Sequence, residues 1–118
     1  MLTDEQLQDQ CSLIKRMLEE SNYFDGCVVE YNNPTDACTE FVIADCYWIV
    51  AYWNNHGLHK YNVGYYKDYD DGCRETVLLS HFKDSLFQCC VRIVKDMYES
   101  RLQAAMEIWM EEKACNAA

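Results

Sequence analysis

From His81 onward the chain carries one long helical stripe. Phe82, Leu86, Cys90, Ile93, Val94, Met97, Tyr98, Leu102, Ala105 and Trp109 recur every three or four residues. Unbroken to Ala114, such a helix is about 50 Å long at 1.5 Å per residue. The chain has 118 residues, one domain by length, and a compact domain of that size has a radius of gyration near 13 Å. The helix therefore overhangs its own body. Three arrangements resolve the conflict. The helix breaks near Ser100 and folds back, curves round a sheet, or packs its outer end, with Ile108 and Trp109, against a second subunit.

The rest of the chain predicts what that helix packs on. Thr3-Asp4-Glu5-Gln6 fits a capping box with Thr3 as N-cap. Leu7, Cys11, Ile14 and Leu18 then follow at helical spacing, so a first helix is expected from about Asp4 to Glu20. Ser21-Asn22 and Asp25-Gly26 end it. Cys27 to Tyr31 reads as a short strand, and Asn32 to Asp36 as a loop. Glu40 to Trp53 is the most strand-like stretch. Asp45 interrupts it, so a bulge or tight turn is expected near Ala44-Asp45-Cys46; the stretch reads as one long bent strand, with two short strands as the alternative. Asn54-Asn55-His56-Gly57 is a hairpin loop, His59 to Lys67 the next strand, and Asp68 to Gly72 an acidic turn. Arg74 to Leu79 reads as a fourth strand or a helix start; Ser80, followed by Asp84, favours a strand with the helix capped near Ser80. The expected fold is a single α+β domain over residues 1–118. An N-terminal helix, a three- or four-stranded antiparallel sheet and a long C-terminal helix or helix pair pack with the helices on one sheet face.

Charge bounds the partners. Asp plus Glu number 20 and Lys plus Arg 10, a net charge of −10. Direct nucleic-acid binding needs basic groups that displace counterions from phosphate, and anionic membranes select against acid for the same reason. A basic protein surface is the partner such a charge steers toward. No run of eighteen apolar residues is present. Met1 to Gln10 carries Asp4, Glu5 and Asp9 and no basic region, so no signal peptide is expected there. Eight cysteines without a secretion signal, with Cys11, Cys89 and Cys90 in helix-like patterns and Cys46 in a strand-like one, read as free thiols in a reducing compartment, most simply the cytoplasm.

Signatures of catalysis are weak. No C-x2-C pair marks a zinc site, and the adjacent Cys89 and Cys90 point about 100° apart on a helix. His56 and His59 bracket the hairpin turn, where two imidazoles can approach, so a small metal protein or enzyme using His56, His59 and the cysteines is one alternative. Asp68, Asp70 and Asp71 fail the calcium-loop pattern, because Cys73 stands where glycine is required and Leu79 where glutamate is. There is no phosphate-binding glycine loop and no G-x-S-x-G. No catalytic residue, metal ligand or cofactor is assigned.

The aromatic hairpin says more. Tyr47, Trp48, Tyr52, Trp53, Tyr61, Tyr65, Tyr66 and Tyr69 fall within 23 residues. A strand buries one face against helices, so some of these rings belong to the other face or an edge. Tyrosine and tryptophan are enriched at the centres of protein interfaces. Trp53, Tyr65, Tyr66, Asp68, Tyr69, Asp70 and Asp71 are the candidate partner-binding residues. In size, acidity and lack of a catalytic motif, the chain resembles the small phage inhibitors of host nucleic-acid enzymes, anti-CRISPR and anti-restriction proteins among them. It equally resembles the cytoplasmic immunity proteins that neutralise bacterial toxins. The likeness is one of bulk properties and carries over no residue. It implies a non-enzymatic inhibitor of DNA-mimic type that docks on a basic surface of a nucleic-acid-processing enzyme. An immunity protein is the alternative, and a homodimer through the C-terminal helix a further expectation.

Overall fold

Thr3 caps the first helix as its sequence predicts. Its hydroxyl accepts from the Gln6 N–H at 3.2 Å, and the Gln6 side chain accepts from the Thr3 N–H at 2.9 Å. The structure, a computed structural model, describes residues 2–32, 34–54, 57–83 and 85–116. Helix α1 spans Asp4–Glu19. Five strands follow, β1 (Val29–Asn32), β2 (Cys38–Ile43), β3 (Tyr47–Asn54), β4 (Gly57–Asp68) and β5 (Arg74–Lys83), then helix α2 (Leu86–Asn116). The strands form one antiparallel meander in sequence order.

The fold is α+β, with five strands rather than three or four. The extra strand arises where a bent strand was expected. Ala44 and Asp45 both adopt positive φ, 52° and 53°, and the Cys46 N–H donates back to the Ile43 C=O at 3.0 Å. Two left-handed residues in succession reverse the chain, as in a type I′ turn. Neither is glycine, so composition marks a break here without marking a full reversal.

The last helix also starts later than its stripe suggests. His81 and Phe82 belong to β5, opposite Asn62 and Tyr61 of β4. Phe82 joins the core from the strand. The cap is Ser85, not Ser80: its hydroxyl accepts from the Gln88 N–H at 3.1 Å. Of the three arrangements open to α2, the helix is continuous over 31 residues, about 46 Å. It accounts for a radius of gyration of 17.1 Å and a longest dimension of 64 Å.

Both helices lie on one sheet face. Leu7, Cys11, Ile14 and Leu18 of α1 and Cys89, Cys90 and Ile93 of α2 enclose the inward side chains Phe41, Ile43, Tyr47, Ile49, Ala51, Tyr61 and Val63. Each fully buried Leu or Ile contributes about 1.5–3 kcal/mol. Within this core the Thr39 hydroxyl is buried without a hydrogen-bond partner. Thr39→Val keeps the β-branched shape and removes that uncompensated oxygen, and is expected to stabilise the fold by about 1 kcal/mol. A urea midpoint that falls instead of rising overturns this. No helix among the described residues is long and apolar enough to cross a membrane.

Candidate binding surface

The two tight turns meet at one end of the sheet, because β3 begins where β4 ends. The Tyr66 N–H donates to the Cys46 C=O at 2.9 Å and ties β4 to the 44–46 turn. Beyond it the acidic turn closes with the Tyr69 N–H on the Cys73 C=O at 2.9 Å and the Gly72 N–H on the Tyr69 C=O at 3.0 Å. Gly72 has φ of 87°, a left-handed conformation that glycine adopts freely. The Asp71 carboxylate accepts from the Cys73 N–H at 2.9 Å, and this bond holds its carboxyl below the usual range.

Arg74 organises the charge here. Its guanidinium donates to Asp68 at 2.6 and 3.2 Å and to Asp45 at 3.0 and 3.4 Å. It also lies over the Tyr66 ring, 4.8 Å from the centroid. The Tyr66 hydroxyl in turn donates to Glu40 at 2.8 Å. Burial, followed by the bond to Glu40, pushes the Tyr66 phenol up. On the far side of the hairpin the Tyr69 hydroxyl donates to Glu75 at 3.0 Å, with the Lys67 ammonium 5.2 Å from its ring centre. Exposed ion pairs add little stability. The planar fork of Arg74 on two carboxylates fixes orientation instead, locking the 44–46 turn against the base of the β4–β5 hairpin.

The seven candidate residues do not form one patch. Asp68, Tyr69, Asp70 and Asp71 are exposed together at the hairpin end. Trp53 sits against the core near the far end of β4, opposite Leu58, about 33 Å from Asp68 at 3.3 Å per residue. Tyr65 and Tyr66 are neighbours on one strand and so face opposite ways. Tyr65 lies against the core opposite Tyr47, and Tyr66 belongs to the helix-free face. That face also carries Trp48, Val42, Val50, Tyr52 and Leu78. Trp48 is only 8 % exposed; its indole lies against Gly64 and its N–H donates to the Tyr65 C=O at 3.1 Å.

Sequence reasoning missed Arg74 and Glu40. A signal for Arg74 existed: once Tyr69 to Cys73 is taken as the turn, Asp68 and Arg74 become a cross-strand pair. Glu40 becomes visible only when three strands are placed side by side. A groove of about 350 Å³ lies beside the hairpin end, lined by Cys46, Tyr47, Tyr65, Tyr66, Asp96, Met97 and Ser100. In it the Tyr47 hydroxyl donates to Asp96 at 2.8 Å, and burial pushes its phenol up.

All eight cysteines are free; Cys11, Cys27, Cys89 and Cys90 are buried, Cys38 is half-buried, and Cys46, on the turn rather than in a strand, is exposed with Cys73 and Cys115. His56 lies outside the described residues, as does the side chain of His59, so the histidine pair has no described geometry. Among the described residues no three of His, Cys, Asp and Glu gather as a metal site would require. Compared with known proteins, the chain matches no family model, no curated protein and no solved structure.

Proposed function

We propose that this protein is a non-enzymatic inhibitor that docks its acidic hairpin end on a basic surface of a nucleic-acid-processing enzyme, in the manner of phage anti-defence, anti-CRISPR-like or DNA-mimic proteins. The observation that carries this reading is the locked hairpin end. There Arg74 holds Asp45 and Asp68, the Cys73 N–H holds Asp71 and the Tyr69 hydroxyl holds Glu75, with Asp70 exposed beside them. Carboxylates fixed before binding lose little conformational freedom on association, and their excess steers a basic partner inward. Tyr69, 42 % exposed between them, adds ring area with a polar tip.

The test is capture from cell lysates at low salt, repeated at high salt, followed by assay of the retained enzyme with purified inhibitor. The expected result is a nucleic-acid enzyme that is released by salt and inhibited by the free protein. Asp70→Lys with Asp71→Asn is expected to weaken that binding about tenfold at low salt and less at high salt. Asp68 is left intact, because reversing it strips Arg74 of a partner. Affinity indifferent to both salt and the double substitution removes the hairpin end from the account.

A further inference from the structure

Helix α2 has two apolar faces, and the protein covers only one. Leu86, Cys89, Cys90, Ile93 and Met97 turn toward the sheet and the core. The second face is a stripe of Phe87, Val91, Tyr98, Leu102, Ala105 and Trp109, rotated well over 90° from the first at 100° per residue. Its large side chains are between 48 % and 65 % exposed. The side opposite the stripe carries Asp96, Gln103, Glu107 and Glu111, with Ile108 and Met110 at its borders. Among the described residues Tyr98 packs on Tyr23, ring centroids 6.3 Å apart, and the Lys113 ammonium lies 5.5 Å from the Trp109 ring centre, while the stripe stays about half exposed. A helical extension of this length draws most of its stability from packing rather than from propensity.

We propose that this stripe is the interface of an antiparallel two-fold homodimer, and that each copy's Trp109 seats in the α1–α2 groove of the other. The groove is the complement the stripe requires. It is lined by Met17, Phe87, Cys90, Val91 and Val94, with a volume of about 150 Å³, a size that accommodates a benzene ring and so the six-membered half of an indole. It lies at the inner end of the stripe on which Trp109 marks the outer end, about 25 Å away along the helix axis. A two-fold axis crossing α2 between Tyr98 and Leu102 brings knob to hole twice, as an isologous interface demands. Antiparallel pairing also keeps the two sheets at opposite ends of the pair.

The area agrees. At roughly 100 Å² apiece, Phe87, Val91, Tyr98, Leu102 and Trp109 of the stripe, with Met106 at its edge, present on the order of 600 Å². Leu13, 48 % exposed and four residues before Met17 on α1, extends the patch toward the roughly 800 Å² that one partner gives a standard interface. Charge opposes the pairing, since each copy carries −10. Salt screens that repulsion and strengthens apolar burial, so the dimer tightens as salt rises. Docking of the acidic hairpin weakens with salt, so the two proposals fail independently.

Sedimentation equilibrium of the full chain at low and high salt is the test. The expected mass is twice 13.9 kDa, with a dissociation constant that falls as salt is added. Leu102→Glu, Trp109→Glu and, on the groove side, Val91→Glu are each expected to weaken association at least a hundredfold. All three residues are exposed in the single chain, so far-UV circular dichroism is expected to show the sheet and α1 intact. The wild-type melting temperature should also rise with protein concentration while those of the variants stay fixed. A wild-type chain that stays at 13.9 kDa at high concentration and high salt assigns the stripe to a different chain and overturns the proposal. So does a dimer that survives Trp109→Glu or Val91→Glu.

Discussion

Gly64→Ala is expected to destabilise the fold by about 3 kcal/mol or more, at the upper end of what one added methyl does to a packed site. A Cβ at this position meets the Val77 carbonyl oxygen and the Trp48 indole, the latter at 2.6 Å from Cε2. Three strands converge there. Gly64 sits opposite Trp48 on β3 and Leu78 on β5, beside a register shift between Val63 and Gly64. An indole can swing away, but a carbonyl in a sheet cannot move without breaking its ladder. Truncating Trp48 in the same chain is therefore expected to rescue little. Urea unfolding of the single and double variants checks this. A Gly64→Ala protein within 1 kcal/mol of wild type, or one fully rescued by Trp48→Val, contradicts the close approach.

The second large effect is alkaline. Burial pushes the Cys11 thiol up to about 11, with the charge of Glu30 adding to it, and pushes Cys89 and Cys90 up to about 12, from an ordinary value of 9.0. A thiol whose folded pKa is raised binds its proton more tightly in the native state. The stability this confers is fully present below pH 9 and is lost as pH climbs from there through the folded values. At about pH 10.5 each thiol is expected to cost roughly 2 kcal/mol, or about 6 kcal/mol together. The raised phenol of Tyr47 acts in the same sense at higher pH. Urea midpoints under reducing conditions at about pH 8 and pH 10.5 measure the loss. A chain with Cys11, Cys89 and Cys90 all changed to alanine starts from a lower midpoint because of its cavities, yet is expected to show a much flatter pH dependence. Equal slopes in the two proteins would attribute the loss to other groups.

Local signals in the sequence carried different weights. Helix α1 was legible to within a residue at both ends, because its cap and its apolar spacing act between residues three or four apart. The alternation of β4 was equally legible, because in a strand residues two apart share a face. The 44–46 break was legible at Asp45, but not that it is a full reversal, because Ala44 and Asp45 adopt a conformation their side chains disfavour, held there by pairing on both sides. The β5–α2 boundary was blurred because Phe82 and Leu86 are four apart and fit a helical stripe equally well. What makes Phe82 a strand residue is Tyr61 across the ladder. Among the candidate residues, Asp68 through Asp71 were legible as one group, being consecutive on a turn. Trp53 and Tyr65 were drawn to that group by proximity in sequence, and strand length and alternation carry them elsewhere.

By itself the sequence determined the class of fold, the two helices, the acidic turn, the net charge of −10 and the mismatch between a long C-terminal stripe and a small body. These follow from periodicity, capping and charge, which act over a few residues or over the chain as a whole. Only the tertiary structure decided that Arg74 joins Asp45 to Asp68, that Trp48 closes over Gly64, that Tyr65 and Tyr66 part to opposite faces, and that α2 runs on unbroken past its own sheet with an apolar stripe uncovered. Each depends on which residue stands opposite which across a ladder or between layers. Register is set by the summed burial of all five strands against two helices, a quantity that no local stretch of sequence contains.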